Sequence, residues 1–197
     1  MDDLMVDFRI VLEKQGWVIE RESGTAYFYN FTPWVAPKAY LHVVFKGAAA
    51  AALTEVDDIL HLPRDWREEL SQQNGAFLFS GALDVYGVHA PGALLNRRDV
   101  FERLPISIVS ENSSWAPKDS ERLVVVGGYQ FDGTLAVLDR NDGSVSAMPR
   151  RSKTVLIRWP DTDSWLTAEI ERLSKLFDER GKITVSEEET LPGRQIL

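Results

Sequence analysis

The chain contains no cysteine, which excludes disulfide staples, thiolate metal centres and cysteine nucleophiles. Histidine is almost as scarce. His42, His61 and His89 are dispersed, with no His-Glu-x-x-His or neighbouring pair to hold zinc. There is no Gly-x-Ser-x-Gly elbow, no Walker loop and no dinucleotide fingerprint, and Gly127-Gly128 lacks the partners of a phosphate cradle. The run from Asp139 to Gly143 is no calcium loop either. Its glycine falls fifth rather than sixth, and Arg150 stands where a bidentate glutamate is needed. These gaps predict a non-enzymatic chain with no catalytic residues, no cofactor and no metal.

Long apolar runs are also missing, so no membrane span is expected. Met1-Asp2-Asp3-Leu4 is acidic where an export signal is basic and then apolar, and the expected location is the cytoplasm. Positive charge is in the minority. Twenty-two Lys and Arg face thirty Asp and Glu, a net charge of −8. That balance repels a phosphate backbone and argues against nucleic acid, while it suits a basic protein partner. At 197 residues the chain can bury a sizeable core as one domain, or as one domain with an extension.

Apolar periodicity fills in the rest. Leu4, Met5, Phe8, Val11 and Leu12 predict a helix over 3–15, capped by Asp2 or Asp3 and stopped by Gly16. Strands follow over 17–20, 25–31 and 40–45, with a Pro33-Trp34-Val35-Ala36-Pro37 loop between the last two. These strands either pair with the main sheet or form a small subdomain. Ala48 begins an alanine-rich helix carrying Leu53, Val56, Ile59 and Leu60 on one face. Pro63 breaks it and opens a second helix that turns Trp66 and Leu70 inward. Asn74-Gly75 reads as the left-handed stop of that helix, ahead of strands over 76–79 and 83–88.

Downstream, 94–104 reads as helical, 106–109 as a short strand and 111–122 as polar turns. Asp132-Gly133 and Asn141-Asp142-Gly143 are hairpin signals linking strands over 123–126, 134–138 and 144–148. Arg150, Arg151, Lys153 and Arg158 form a basic cluster beside a further strand over 154–159. A last helix, capped by Asp161 or Asp163, carries Leu166, Ile170, Leu173 and Phe177 on one stripe up to Gly181. The tail from Ser186 is acidic and expected to fray. The pattern predicts an α+β fold: a twisted, mostly antiparallel sheet of about six strands with flanking helices. Three parts are expected: an extension over 1–46, the main domain over 47–185 and the tail over 186–197.

Leu62, Pro63, Asp65, Trp66, Leu70, Asn74, Gly75, Phe77, Phe79, Leu83 and Gly87, followed by the strand, Asp-Gly turn, strand and Gly-turn order of 123–145, resemble the SUKH superfamily. That family includes a fungal cell-wall-synthesis regulator and many bacterial immunity proteins, and the likeness covers about residues 47–180. It implies a protein-binding module, with a toxin domain, often a nuclease, as the partner neutralised in the producing cell. A regulatory scaffold of the fungal type is the alternative, and an enzyme with an unrecognised site is a more remote one. The candidate partner surface combines an acidic helix face, with Asp58 and Glu69, and loops holding Trp115, Asp132, Asp139 and Asp142. Asn74, Gly75, Gly87 and Gly133 read as backbone-geometry positions rather than contacts. The oligomeric state is not legible in the sequence.

Overall fold

The computed structural model describes residues 7–32, 39–89, 103–115, 121–150, 152 and 154–193. The Pro33–Pro37 loop, the bulk of the helix expected over 94–104, Arg151 and Lys153 lie outside the described residues, as do 194–197 of the tail. Among the described residues nine strands form one antiparallel sheet whose spatial order is the chain order: β1 (Ile19–Glu22), β2 (Ala26–Thr32), β3 (Ala39–Lys46), β4 (Gln73–Leu78), β5 (Leu83–Val85), β6 (Leu123–Gly128), β7 (Leu135–Asp139), β8 (Val145–Met148) and β9 (Ile157–Trp159). Five helices accompany it among the described residues: α1 (Phe8–Lys14), α2 (Ala50–Leu60), α3 (Arg64–Gln72), α4 (Ile108–Trp115) and α5 (Thr162–Ser174). The class is α+β as expected, with nine strands rather than about six. The difference comes from the opening strands, since β3 pairs with β4 and carries β1 and β2 into the same sheet.

α3 and α5 bury the apolar residues that their spacing foretells, whereas Ile59, expected on the buried face of α2, is exposed. Trp66, Glu69 and Leu70 are buried on α3, and Trp165, Leu166, Glu169, Ile170 and Leu173 on α5. The Trp66 and Trp165 rings lie 6.4 Å apart, joining the two helices. An indole removes on the order of 200 Å² from water, roughly 5 kcal/mol of gross hydrophobic free energy before entropy is counted. Gly127 makes the seat for one of them, because a Cβ there would stand 2.8 Å from Cη2 of Trp165. β7 and β8 are buried along their whole length, so this part of the sheet is covered on both faces. A smaller cluster of Ala26, Phe28, Val43 and Phe45, with Tyr40 and Phe77 against it, is separate from this core.

Several local expectations give way. Asp7, whose side chain accepts from Arg9 N at 2.9 Å, caps α1, and the Asp2 and Asp3 expected there lie outside the described residues. Asn74-Gly75 does not stop a helix, since α3 ends at Gln72 and β4 starts at once. β4 instead carries one extra residue against β3 here, and Gly75 sits at φ +82°. The Asn74 amide accepts from Val88 N at 2.7 Å and donates to Val88 O at 2.8 Å, a side chain standing in for a strand partner. Of the strand expected over 106–109, Ser107 makes an isolated parallel bridge to Gly87, and α4 begins at Ile108, where Ser107 Oγ accepts from Ser110 N. The polar run from Glu111 therefore begins as helix too, with buried Asn112 bridging to both backbone groups of Val125. The last helix ends at Ser174 rather than Gly181, which occupies a later turn at φ +71°.

Candidate functional site

Between β4 and β5 the chain makes a 3-10 turn, Phe79–Gly81, in which three successive residues are left-handed: Phe79 at φ 53°, Ser80 at 55° and Gly81 at 92°. For an L side chain this region costs roughly 1–2 kcal/mol, and such outliers cluster where a site has been shaped. A buried histidine holds the turn. Phe79 N donates to Nδ1 of His42 at 3.2 Å, and the two rings meet edge to face at 4.5 Å. Because Nδ1 accepts, the imidazole proton is on Nε2. Burial pushes the His42 pKa down to about 3, so the ring is neutral.

Gly81 is required by its neighbour, since a Cβ there would lie 2.6 Å from the side-chain amide of Gln130. Gln130 passes through that space and donates from Nε2 to Oδ2 of Asp84 at 2.6 Å. Asp84 is only 2% exposed. Burial therefore pushes its carboxyl up to about 7, against the opposing pull of the Gln130 bond. The β4–β5 turn and the β6–β7 turn are thus tied together by a glycine gap and a buried acid.

The third wall is the C-terminal segment. Phe177 pairs with Ile183 across a turn in which Asp178 Oδ1 accepts from Arg180 N and Lys182 N. Ser186 and Glu189 then form a reciprocal capping box around a second 3-10 turn, Glu187–Thr190. Arg172 fastens this turn to α5. It donates to the carbonyl of Thr190 at 2.8 Å and pairs with the buried Glu169 at 2.6 Å. The described part of the acidic tail is consequently docked rather than frayed, and Thr190 and Leu191 are buried.

These three segments enclose a cavity of about 580 Å³ lined by Phe79, Gln130, Phe131, Phe177, Lys182 and Glu187, among others. That size is within the usual range for small-ligand sites. Phe79 and Phe177 stand 5.2 Å apart, and Phe131 remains 44% exposed at the mouth. Asp132 follows Phe131 in the same turn, exposed, with Oδ1 accepting from Thr134 N. Aromatic faces beside carboxylates form an acceptor for a positively charged or amphipathic group. Among the described residues, no group of three or more His, Asp or Glu is placed to hold a metal ion.

The six residues expected on one partner surface are not together. Asp132 and Asp142 lie at opposite ends of β7, about 17 Å apart at the rise of a five-residue strand. Asp142 pairs with Arg158 at 2.6 Å. Asp139 is buried and bonded to Arg122, which holds its carboxyl below the usual range. Arg140 donates to the carbonyls of Leu60 and His61, so this end of the sheet meets the end of α2 where Asp58 is exposed. Glu69 is not on the surface. It is buried, and burial with the negative charges of Asp163 and Asp7 pushes it up to about 8. Trp115 is half-buried against the main core. The basic cluster is divided as well, since Arg150 pairs with Glu111 and Arg158 with Asp142.

Sequence reasoning missed Phe79, Ser80, Gln130, Phe131 and Phe177 as a set. The only local signal is Phe131, an aromatic inside an otherwise polar hairpin turn. No family model matches the chain, and no curated protein matches it.

Proposed function

We propose that the chain is a protein-binding module that neutralises a basic toxin domain in the cell that produces it. The observation that carries this reading is the cavity mouth, where an exposed aromatic at a turn, two further rings and flanking acids converge on an acidic chain. Exposed aromatics beside a pocket are typical anchors of protein interfaces. The net charge of −8 speeds encounter with a basic partner and fits a nuclease, whose own substrate is a polyanion. The likeness of residues 62–87 and 123–145 to immunity proteins supports the same direction.

The cavity end replaces the surface first expected, because Asp139 and Asp142 are engaged with arginines and Glu69 is buried. Co-expression of the chain with the product of each flanking gene tests the reading, scored by growth and by co-purification. A neighbour that is toxic alone and silent in a stable complex is the expected result. If no neighbour is toxic or bound, the reading fails. Deleting residues 1–46 to probe a scaffold role would be uninformative, since it strips three strands from the sheet.

A further inference from the structure

We infer that the cavity between the Phe79–Gly81 turn, the β6–β7 turn and the C-terminal segment binds a small molecule independently of any protein partner: a neutral, flat, fused-ring compound with one hydrogen-bond donor. A space of about 580 Å³ holds a whole small ligand, whereas one side chain of a docked protein would leave much of it to water. Its lining favours a ring. Phe79 and Phe177 stand 5.2 Å apart with their planes 38° from parallel, and Phe131 and Ile183 line the same space. Such rings gain more from an offset or edge contact with another ring than from a saturated group of equal area. The left-handed Phe79–Gly81 backbone, costly for L side chains, puts the Phe79 ring and the Gly81 gap on one wall.

The charged residues of the lining, Lys182 and Glu187, are one base and one acid. A site of no net charge with aromatic walls favours a neutral ligand, because a charged one loses more hydration on entering. Polar selection falls to Gln130. Its Nε2 donates to the buried Asp84 at 2.6 Å, and its amide is closely packed over Gly81. Its Oε1 accepts no hydrogen bond among the described residues, so the group it offers the cavity is an acceptor. An acceptor held in place on both sides selects an O–H or N–H on the ligand.

The test is a titration of the ¹⁵N-labelled full chain at about pH 7, where a naphthol hydroxyl is un-ionised, with 2-naphthol, 2-methoxynaphthalene and decahydro-2-naphthol. 2-Naphthol is expected to shift the amides of Gly81, Gln130, Phe131 and Lys182. The methyl ether has no donor and the saturated alcohol has no ring face, so each should bind about three- to tenfold more weakly. Phe131→Ala alters an exposed side chain and should keep a dispersed wild-type spectrum while weakening 2-naphthol about threefold or more. Gln130→Met keeps the length without the acceptor and should bring 2-naphthol down to the level of its methyl ether. If that variant does not fold, F131A and the comparison of the three compounds on wild type decide. No shift with 2-naphthol, shifts confined to other surfaces, or a control compound bound as tightly as 2-naphthol would overturn the inference. The protein-binding reading is judged separately by co-expression. A partner bound by a chain whose cavity takes none of the three compounds removes the ligand site and leaves that reading intact.

Discussion

Asp84→Asn should stabilise the protein at alkaline pH and destabilise it at acidic pH. Asp84 lies on β5 with Phe77 of β4 opposite on one side and Gly128 of β6 on the other, in the middle of the sheet. Oδ2 accepts from Gln130, while Oδ1 is buried with no partner. An ionised carboxylate there keeps one hydrogen bond in place of its hydration shell, which is why its pKa rises from 3.8 to about 7. Between those values the folded state holds a proton that the unfolded chain has released. Stability is therefore fully present below the unfolded pKa and is lost as pH rises through about 7.

At 1.36 kcal/mol for each pH unit, the difference between 3.8 and about 7 amounts to roughly 4 kcal/mol of stability lost by pH 9. Asparagine keeps the shape and the acceptor for Gln130 but buries an unpartnered N–H, at a cost of about 1–3 kcal/mol. The variant should thus be weaker than wild type by about 1–3 kcal/mol at pH 4 and stronger by about 1–3 kcal/mol at pH 9. Urea unfolding followed by tryptophan fluorescence at one-unit steps from pH 4 to pH 9 measures the difference. Glu69 and His42 also titrate anomalously, but they are common to both proteins and cancel in the subtraction. A difference that stays flat across that range would show that Asp84 ionises normally in the fold, and the account of its burial would be wrong.

Two further substitutions probe the walls of the cavity and the motif beside it. Arg172→Leu strands the buried Glu169 and releases the 3-10 turn that Arg172 fastens, at about 3–5 kcal/mol, or a fall in Tm near 10 °C. Limited proteolysis should then cut before Thr190, and unchanged protection of that segment would refute the docking role. Gly75→Ala combines a φ of +82° with a Cβ 2.5 Å from the carbonyl of Val85 and should cost about 2–4 kcal/mol. Gly16→Ala has a similar φ of +88° but open space around it, and should cost only about 1 kcal/mol. Equal losses in denaturant midpoint would mean that strain alone matters at both sites.

What the sequence made legible is what short-range chemistry decides. The β6–β7–β8 hairpins were readable because Gly133 and Gly143 both take φ 73° in turns that contain Asp or Asn. The buried stripes of α3 and α5 follow from spacing. Where a distant partner decides, the reading failed. Asn74-Gly75 has the composition of a helix stop, yet its role is set by Val88 and Val85 across the sheet. Residues 106–109 are apolar enough for a strand, and Ser107 divides them, bridging to Gly87 while its hydroxyl caps the α4 that begins at Ile108. The acidic tail reads as solvated until Arg172 is seen to hold it.

The same distinction explains why the candidate site moved. A sequence shows how many acids a chain carries but not which arginine each one meets. At the end of the sheet near α2, Asp57 pairs with Arg67, Asp139 with Arg122 and Asp142 with Arg158, so much of that local charge is already balanced. At the cavity end the lining carries one base and one acid, Lys182 and Glu187, and the nearby Arg172 is turned inward to Glu169 and the carbonyl of Thr190. The rings Phe79, Phe131 and Phe177 are brought together at that end. That coincidence depends on segments around residues 80, 131 and 180 folding into one place. One of the three, the left-handed turn at Phe79, is held by a histidine 37 residues earlier in the chain.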